Sequence, residues 1–85
     1  MENRVKTAFN VITYILNANG YQYDNSNWAL DNEMWFKKDD FFAYISLGDN
    51  FIEFSTDDLS IMPRWLTNFG KICYGDELAM FDLWI

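Results

Sequence analysis

EMWFKKDDFFAYISLGDNFIEFST, residues 33–56, decides the fold. Three apolar-rich runs are separated by Asp39-Asp40 and Asp49-Asn50, dipeptides suited to two-residue hairpin turns. With those turns Lys38 faces Phe41, Phe36 faces Ala43 and Met34 faces Ile45. Across the second turn Gly48 faces Phe51, Leu47 faces Ile52 and Ile45 faces Phe54. Directly opposed residues share a face of the sheet, so Met34, Phe36, Phe41, Ala43, Ile45, Leu47, Ile52 and Phe54 gather on one side. A one-residue slip at either turn would scatter them over both. That two independent turns agree predicts a three-stranded antiparallel meander.

The other side of this meander carries Glu33, Trp35, Lys37, Phe42, Tyr44, Ser46, Phe51, Glu53 and Ser55. Trp35 lies across from Tyr44, with Phe42 beside them. Two readings are open. The C-terminal helix or residues 21–32 cover these aromatics as a second small core, or they form an exposed patch for binding or dimerisation, for which Trp and Tyr are apt anchors.

Upstream, Val5, Ala8, Phe9, Ile12, Ile15 and Leu16 fall on one side of a 3.6-residue period, while Asn3, Lys6, Asn10, Thr13 and Asn17 mark the other. Asn19-Gly20 supplies a left-handed stop. The pattern predicts an amphipathic helix over 3–18. Residues 21–32 are rich in turn formers and permit a short strand at Tyr21–Tyr23. Asp24-Asn25-Ser26-Asn27 opens like a calcium loop. Its sixth residue is not Gly and its twelfth is Trp35 instead of Glu, so a polar turn is the better reading.

Downstream, Pro63 suits the start of a helix, and Trp65, Leu66, Phe69, Ile72 and Cys73 keep helical spacing. Gly75 closes this helix, and Gly70, costing about 1 kcal/mol relative to Ala, offers an earlier stop. Asp76 could cap a last short helix through Met80, although the alternation of Ala79, Phe81, Leu83 and Ile85 also permits a strand. The expectation is one α+β domain over residues 1–85: an N-terminal amphipathic helix on a three-stranded meander, then a C-terminal helix and one short element, taken here as helical.

Composition narrows the function. Eighty-five residues suffice for one domain, and 51% hydrophobic content with four Trp, five Tyr and eight Phe compensates for a small core. Thirteen acids against six bases give a net charge of -7, which disfavours direct contact with nucleic acid or anionic membranes and attracts basic protein surfaces. The N-terminal stretch lacks a signal-peptide design, and no run reaches the roughly 20 apolar residues of a membrane span. A lone Cys73 forms no intrachain disulfide, so a reducing cytoplasm is expected.

No motif points to catalysis. The chain has no histidine, the commonest general base and metal ligand. Cys73, placed in a helix without a histidine partner, reads as a buried structural thiol. Ser26, Ser46, Ser55 and Ser60 sit in no elbow or phosphate loop. Asp39-Asp40, Asp57-Asp58 and Asp76-Glu77 read as turn formers or caps. Neither enzyme chemistry, nor a metal, nor a cofactor is expected.

Charge is uneven along the chain. Between Asp39 and Pro63 there is no base, but Asp39, Asp40, Asp49, Glu53, Asp57 and Asp58. These six are the candidate charged contacts to a partner, with Trp35, Phe42 and Tyr44 as candidate anchors.

The expected order α-β-β-β-α is that of double-stranded RNA-binding domains, but their basic groove-contacting surface has no counterpart here. In size, acidity and element order the chain resembles small phage-encoded inhibitors of bacterial defence nucleases, some of which mimic DNA, and acidic immunity proteins that neutralise toxins. That resemblance implies a basic nucleic-acid-handling protein as partner, bound and blocked in the cytoplasm. The alternative is a homo-oligomer, such as a homodimer, formed through the aromatic sheet face.

Overall fold

A computed structural model of the chain describes residues 1–25 and 32–85. Helix α1, Asn3–Ala18, starts where the Glu2 carboxylate accepts the Arg4 and Val5 N–H groups. It stops at Gly20, whose φ of +84° lets Tyr21 N–H return to the Leu16 carbonyl at 2.9 Å. Val5, Ala8, Ile12, Ile15 and Leu16 are its buried stripe, as the spacing predicts.

The strands are β1 (Gln22–Tyr23), β2 (Glu33–Lys38), β3 (Phe41–Leu47), β4 (Phe51–Thr56), β5 (Lys71–Tyr74) and β6 (Ala79–Trp84). They form one antiparallel sheet in the order β1-β2-β3-β4-β6-β5. The meander has the register read from its turns, including Met34↔Ile45, Phe36↔Ala43, Ile45↔Phe54 and Leu47↔Ile52. Phe36, Ala43, Ile45, Ile52 and Phe54 are buried with the α1 stripe, and Met34 and Leu47 pack against them. Phe41, next to the turn, is largely exposed.

The C-terminal third departs from expectation. There is no C-terminal helix, and the sheet has six strands, not three. Two short 3-10 turns, Leu59–Ile61 and Arg64–Asn68, are followed by the β5–β6 hairpin. Gly70 explains the break. A Cβ there would lie 2.2 Å from the Asp82 carbonyl oxygen, because the chain enters β5 pressed against β6. Only four residues then remain before Gly75, far too few for a stable helix, and the edge of β6 supplies backbone partners instead. Along β6, Ala79, Phe81 and Leu83 are buried and complete the core, while Met80, Asp82 and Trp84 point away from it. The element order shared with double-stranded RNA-binding domains is therefore not that of this chain. Among the described residues no helix is long and apolar enough to cross a membrane.

Candidate functional site

The face of the sheet opposite α1 is the candidate site. No C-terminal helix lies over it, and the other expected cover, residues 21–32, falls partly outside the described residues. On this face Ser46 is buried, and Trp35, Phe42, Tyr44 and Glu53 are half-buried. The strand registers arrange it in rows. One row runs Glu33, Ser46, Glu53, Asp82, Lys71; the next runs Trp35, Tyr44, Ser55, Met80, Cys73. Antiparallel partners alternate between hydrogen-bonded pairs and closer, non-hydrogen-bonded ones, with Cα separations of about 5.5 and 4.5 Å. Leu47 N–H bonds the Asn32 carbonyl, and Ile85 N–H bonds the Asn50 carbonyl. Counting inward from these contacts, Trp35/Tyr44, Phe51/Trp84 and Glu53/Asp82 are all of the closer kind.

The side chains follow that spacing. The Phe51 and Trp84 rings stack at 4.5 Å, 11° from parallel, with Trp84 63% exposed. Trp35 packs on Tyr44 at 4.8 Å and on Phe42 at 5.8 Å. The Tyr44 hydroxyl donates to Glu33 Oε2 at 2.7 Å. Burial, then the hydrogen bond to Glu33, pushes the Tyr44 phenol above its ordinary value.

Glu53 and Asp82 bring two carboxyls together in the middle of this face. Burial first, then the charge of Asp82 and a hydrogen bond with it, raises the Glu53 carboxyl above its ordinary value. Asp82 Oδ1 is buried and accepts from no donor among the described residues while both groups are ionised. Lys71 is the register partner of Asp82 on the far side but forms no ion pair with it. Among the described residues one ion pair forms, Arg4 Nε to Glu2 Oε1 at 3.7 Å, at the start of α1.

The six acids singled out in the sequence are divided by the fold. Asp39 and Asp40 are exposed in the β2–β3 turn, and Asp49 is exposed at the opposite end of the sheet. Asp57 is half-buried, and its Oδ1 accepts the Phe42 N–H at 2.8 Å; the Thr56 hydroxyl donates to the Phe42 carbonyl at 2.8 Å. These two side chains extend the β3–β4 ladder one step past its last backbone pair.

Asp58 is buried. Its Oδ2 accepts from the Tyr21 hydroxyl at 2.8 Å, and its Oδ1 accepts from Ser60 N–H at 3.2 Å and Ser60 Oγ at 2.6 Å. Burial would raise this carboxyl, but the donors from Ser60 and Tyr21 and the charge of Lys38 outweigh it and hold it below its ordinary value. The same contact, with burial first, pushes the Tyr21 phenol up. Asp57 and Asp58 are thus occupied in holding the loop after β4, while Glu53 lies on the open face.

Sequence reading did not single out Asp82 or Trp84 as contacts, and it took Asp76-Glu77 as turn formers or caps without placing them beside this face. Because Thr56 pairs with both Ala43 and Ala79, Asp76 and Glu77 in the β5–β6 turn lie at the same end of the sheet as Asp39 and Asp40. Three strand spacings, about 14 Å, separate the two turns. The alternation from Ala79 to Ile85 was the available signal. Cys73, expected in a buried helix, is exposed on edge strand β5.

The calcium-loop pattern lies partly outside the described residues. Among those described, no cluster of acidic or thiol side chains is placed to hold a metal ion. A surface recess along α1, lined by Met1, Asn3, Lys6, Phe9 and Asn10, offers no carboxylate or nucleophile. No family model matches the chain, and neither a curated protein nor a solved structure does.

Proposed function

We propose that this chain is a protein-binding module that engages a basic nucleic-acid-handling protein through its open sheet face and blocks it. One observation carries the reading: Trp84, stacked on Phe51 and mostly exposed, stands beside the Glu53/Asp82 carboxyl pair, with no base paired to either acid. An exposed aromatic next to unneutralised acid is a costly surface for a solitary domain, and it suits a cationic partner. Arg and Lys side chains offer hydrogen bonds and charge to the carboxylates and a planar or ammonium face to the indole. Trp35, Phe42 and Tyr44 extend the aromatic floor, and Asp39, Asp40, Asp76 and Glu77 supply a negative rim that steers approach. Self-association through this face would set Glu53 and Asp82 against their own copies, which favours a heterologous partner.

The test uses basic nucleic-acid-binding proteins enriched on heparin from a bacterial lysate. The chain is expected to capture a defined component at about 50 mM salt and release it towards about 500 mM, as screening shortens the reach of the charges. Duplex DNA should compete, and Trp84→Ala combined with Asp82→Asn should weaken capture at least tenfold. Capture indifferent to salt, DNA and that double substitution would remove the proposal.

A further inference from the structure

We infer that the β5 edge is a self-complementary interface, so that two copies of the chain join antiparallel along β5 into one twelve-stranded sheet. The hydrogen-bond phase at this edge follows from the hairpin. Gly75 N–H donates to the Leu78 carbonyl at 2.7 Å, so Cys73 and Lys71 direct their backbone groups at β6, and Ile72 and Tyr74 direct theirs outward. None of the hydrogen bonds outside the ladders uses the N–H or carbonyl of Ile72 or Tyr74. An edge with unpaired backbone and little covering is a template for another strand. Lys71, Cys73 and Tyr74 are all exposed along it.

The occupant follows from symmetry and charge. A two-fold axis perpendicular to the sheet through Cys73 sets Ile72 opposite Tyr74 of the second copy, and the reverse, so all outward groups of these residues pair at once. Other registers are poorer: one centred on Ile72 would enlist Gly70, whose N–H is already given to the Leu66 carbonyl at 3.2 Å. In the Cys73-centred register Lys71 falls beside Gly75 of the second copy, next to its Asp76 and Glu77. The edge is basic at one end, at the exposed Lys71. It is acidic at the other, and an antiparallel pair places unlike ends together. β5 itself carries no carboxylate, so the like net charges of the two copies are held away from the seam and screened beyond about 8 Å at physiological salt. Glu53 and Asp82, on β4 and β6, lie inside the junction and stay available on both copies, while Asp76 and Glu77 of the rim are shared with the seam.

Two-fold pairing also makes Cys73 its own neighbour in a non-hydrogen-bonded position. The expected Cα separation of about 4.5 Å lies within the range that a disulfide spans. Cys73 is therefore a reporter of the register.

Sedimentation at tens of micromolar should give a reversible dimer. Mild oxidation with oxidised glutathione should link it through Cys73, each bond consuming two thiols and releasing reduced glutathione. Tyr74→Pro deletes an N–H that points away from β6, so its circular dichroism and melting should stay near those of the parent while the dimer is lost. Lys71→Glu should weaken the dimer about tenfold, and adding Asp76→Lys and Glu77→Lys should restore it. The inference is overturned by a wild-type chain that stays monomeric at these concentrations. It is equally overturned by a dimer indifferent to Tyr74→Pro but lost on Trp35→Ala or Trp84→Ala, which would place the contact on the open face. A monomer whose capture of a basic protein depends on Tyr74 would assign the edge to a strand of that partner instead.

Discussion

On one side of the sheet Phe54 and Phe81 lie sealed beneath α1; on the other, one residue further along the same strands, Glu53 and Asp82 stand together beside an exposed Trp84. The backbone treats both sides alike, and the side chains do not. Apart from Thr56, the buried core-facing positions of β3, β4 and β6 are filled by apolar side chains, whose exposure to water is costly. The open face mixes large rings with the Glu53 and Asp82 carboxyls, to which no base is paired among the described residues. A face built only for solubility would carry acids without the rings, and a second core would carry rings without the acids. On the proposed reading, this pairing suits a surface that a cationic partner covers.

The sharpest break of the comparison is a pair of truncations read by urea unfolding. Phe54→Ala empties a fully buried site and should cost about 3–5 kcal/mol, a large share of the stability of so small a domain. Trp84→Ala removes a stacked but mostly exposed ring and should cost about 1 kcal/mol. If the two losses were equal, the open face would be a second core and the proposed binding surface would lose its basis.

A second test concerns the third of the molecule that the sequence did not disclose. The meander was legible because two short turns and a period-two pattern must agree, and Lys38↔Phe41 and Leu47↔Ile52 follow from that agreement alone. Helix α1 was legible because its apolar stripe and its Asn19-Gly20 stop reinforce each other. Residues 64–74 carry a helical spacing just as regular, and it misled. Their fate depends on partners further along the sequence than one helical turn, for Ile72 packs on Phe81 as a strand neighbour and Gly70 is squeezed by the Asp82 carbonyl.

Local pattern could not weigh that long-range pairing, so the half of the candidate site that β6 supplies stayed hidden with it. Asp58 was misjudged for a related reason. Its acceptor role is set by Tyr21, 37 residues upstream. Gly70→Ala separates the two accounts by sign. In a helix it would stabilise by about 1 kcal/mol. Against the β6 backbone it should destabilise by about 1–3 kcal/mol, visible as a lower melting temperature.

The smallest expected effect distinguishes the two acids most unlike each other, Asp58 and Glu53. Asp58, held below its ordinary value of 3.8 by its donors, contributes stability that is present above that value and is lost as pH falls through the lowered one. Glu53 is held above its ordinary value of 4.5. Between 4.5 and the raised value the folded chain binds a proton that the unfolded chain has released, so stability falls as pH rises through that window. Relief of the general negative repulsion works in the same direction there, and therefore the difference between variants is the measure.

Glu53→Gln offers the Asp82 carboxylate an amide donor at every pH and should be slightly more stable than the parent near neutrality. That advantage should vanish as the pH is lowered below 4.5, where the parent's Glu53 carries its own proton. Asp58→Asn should leave this window unchanged and flatten the loss at lower pH instead. An unchanged difference between Glu53→Gln and parent across the window would mean that the two carboxyls do not share a proton, and that the centre of the open face carries both charges ready for a cation.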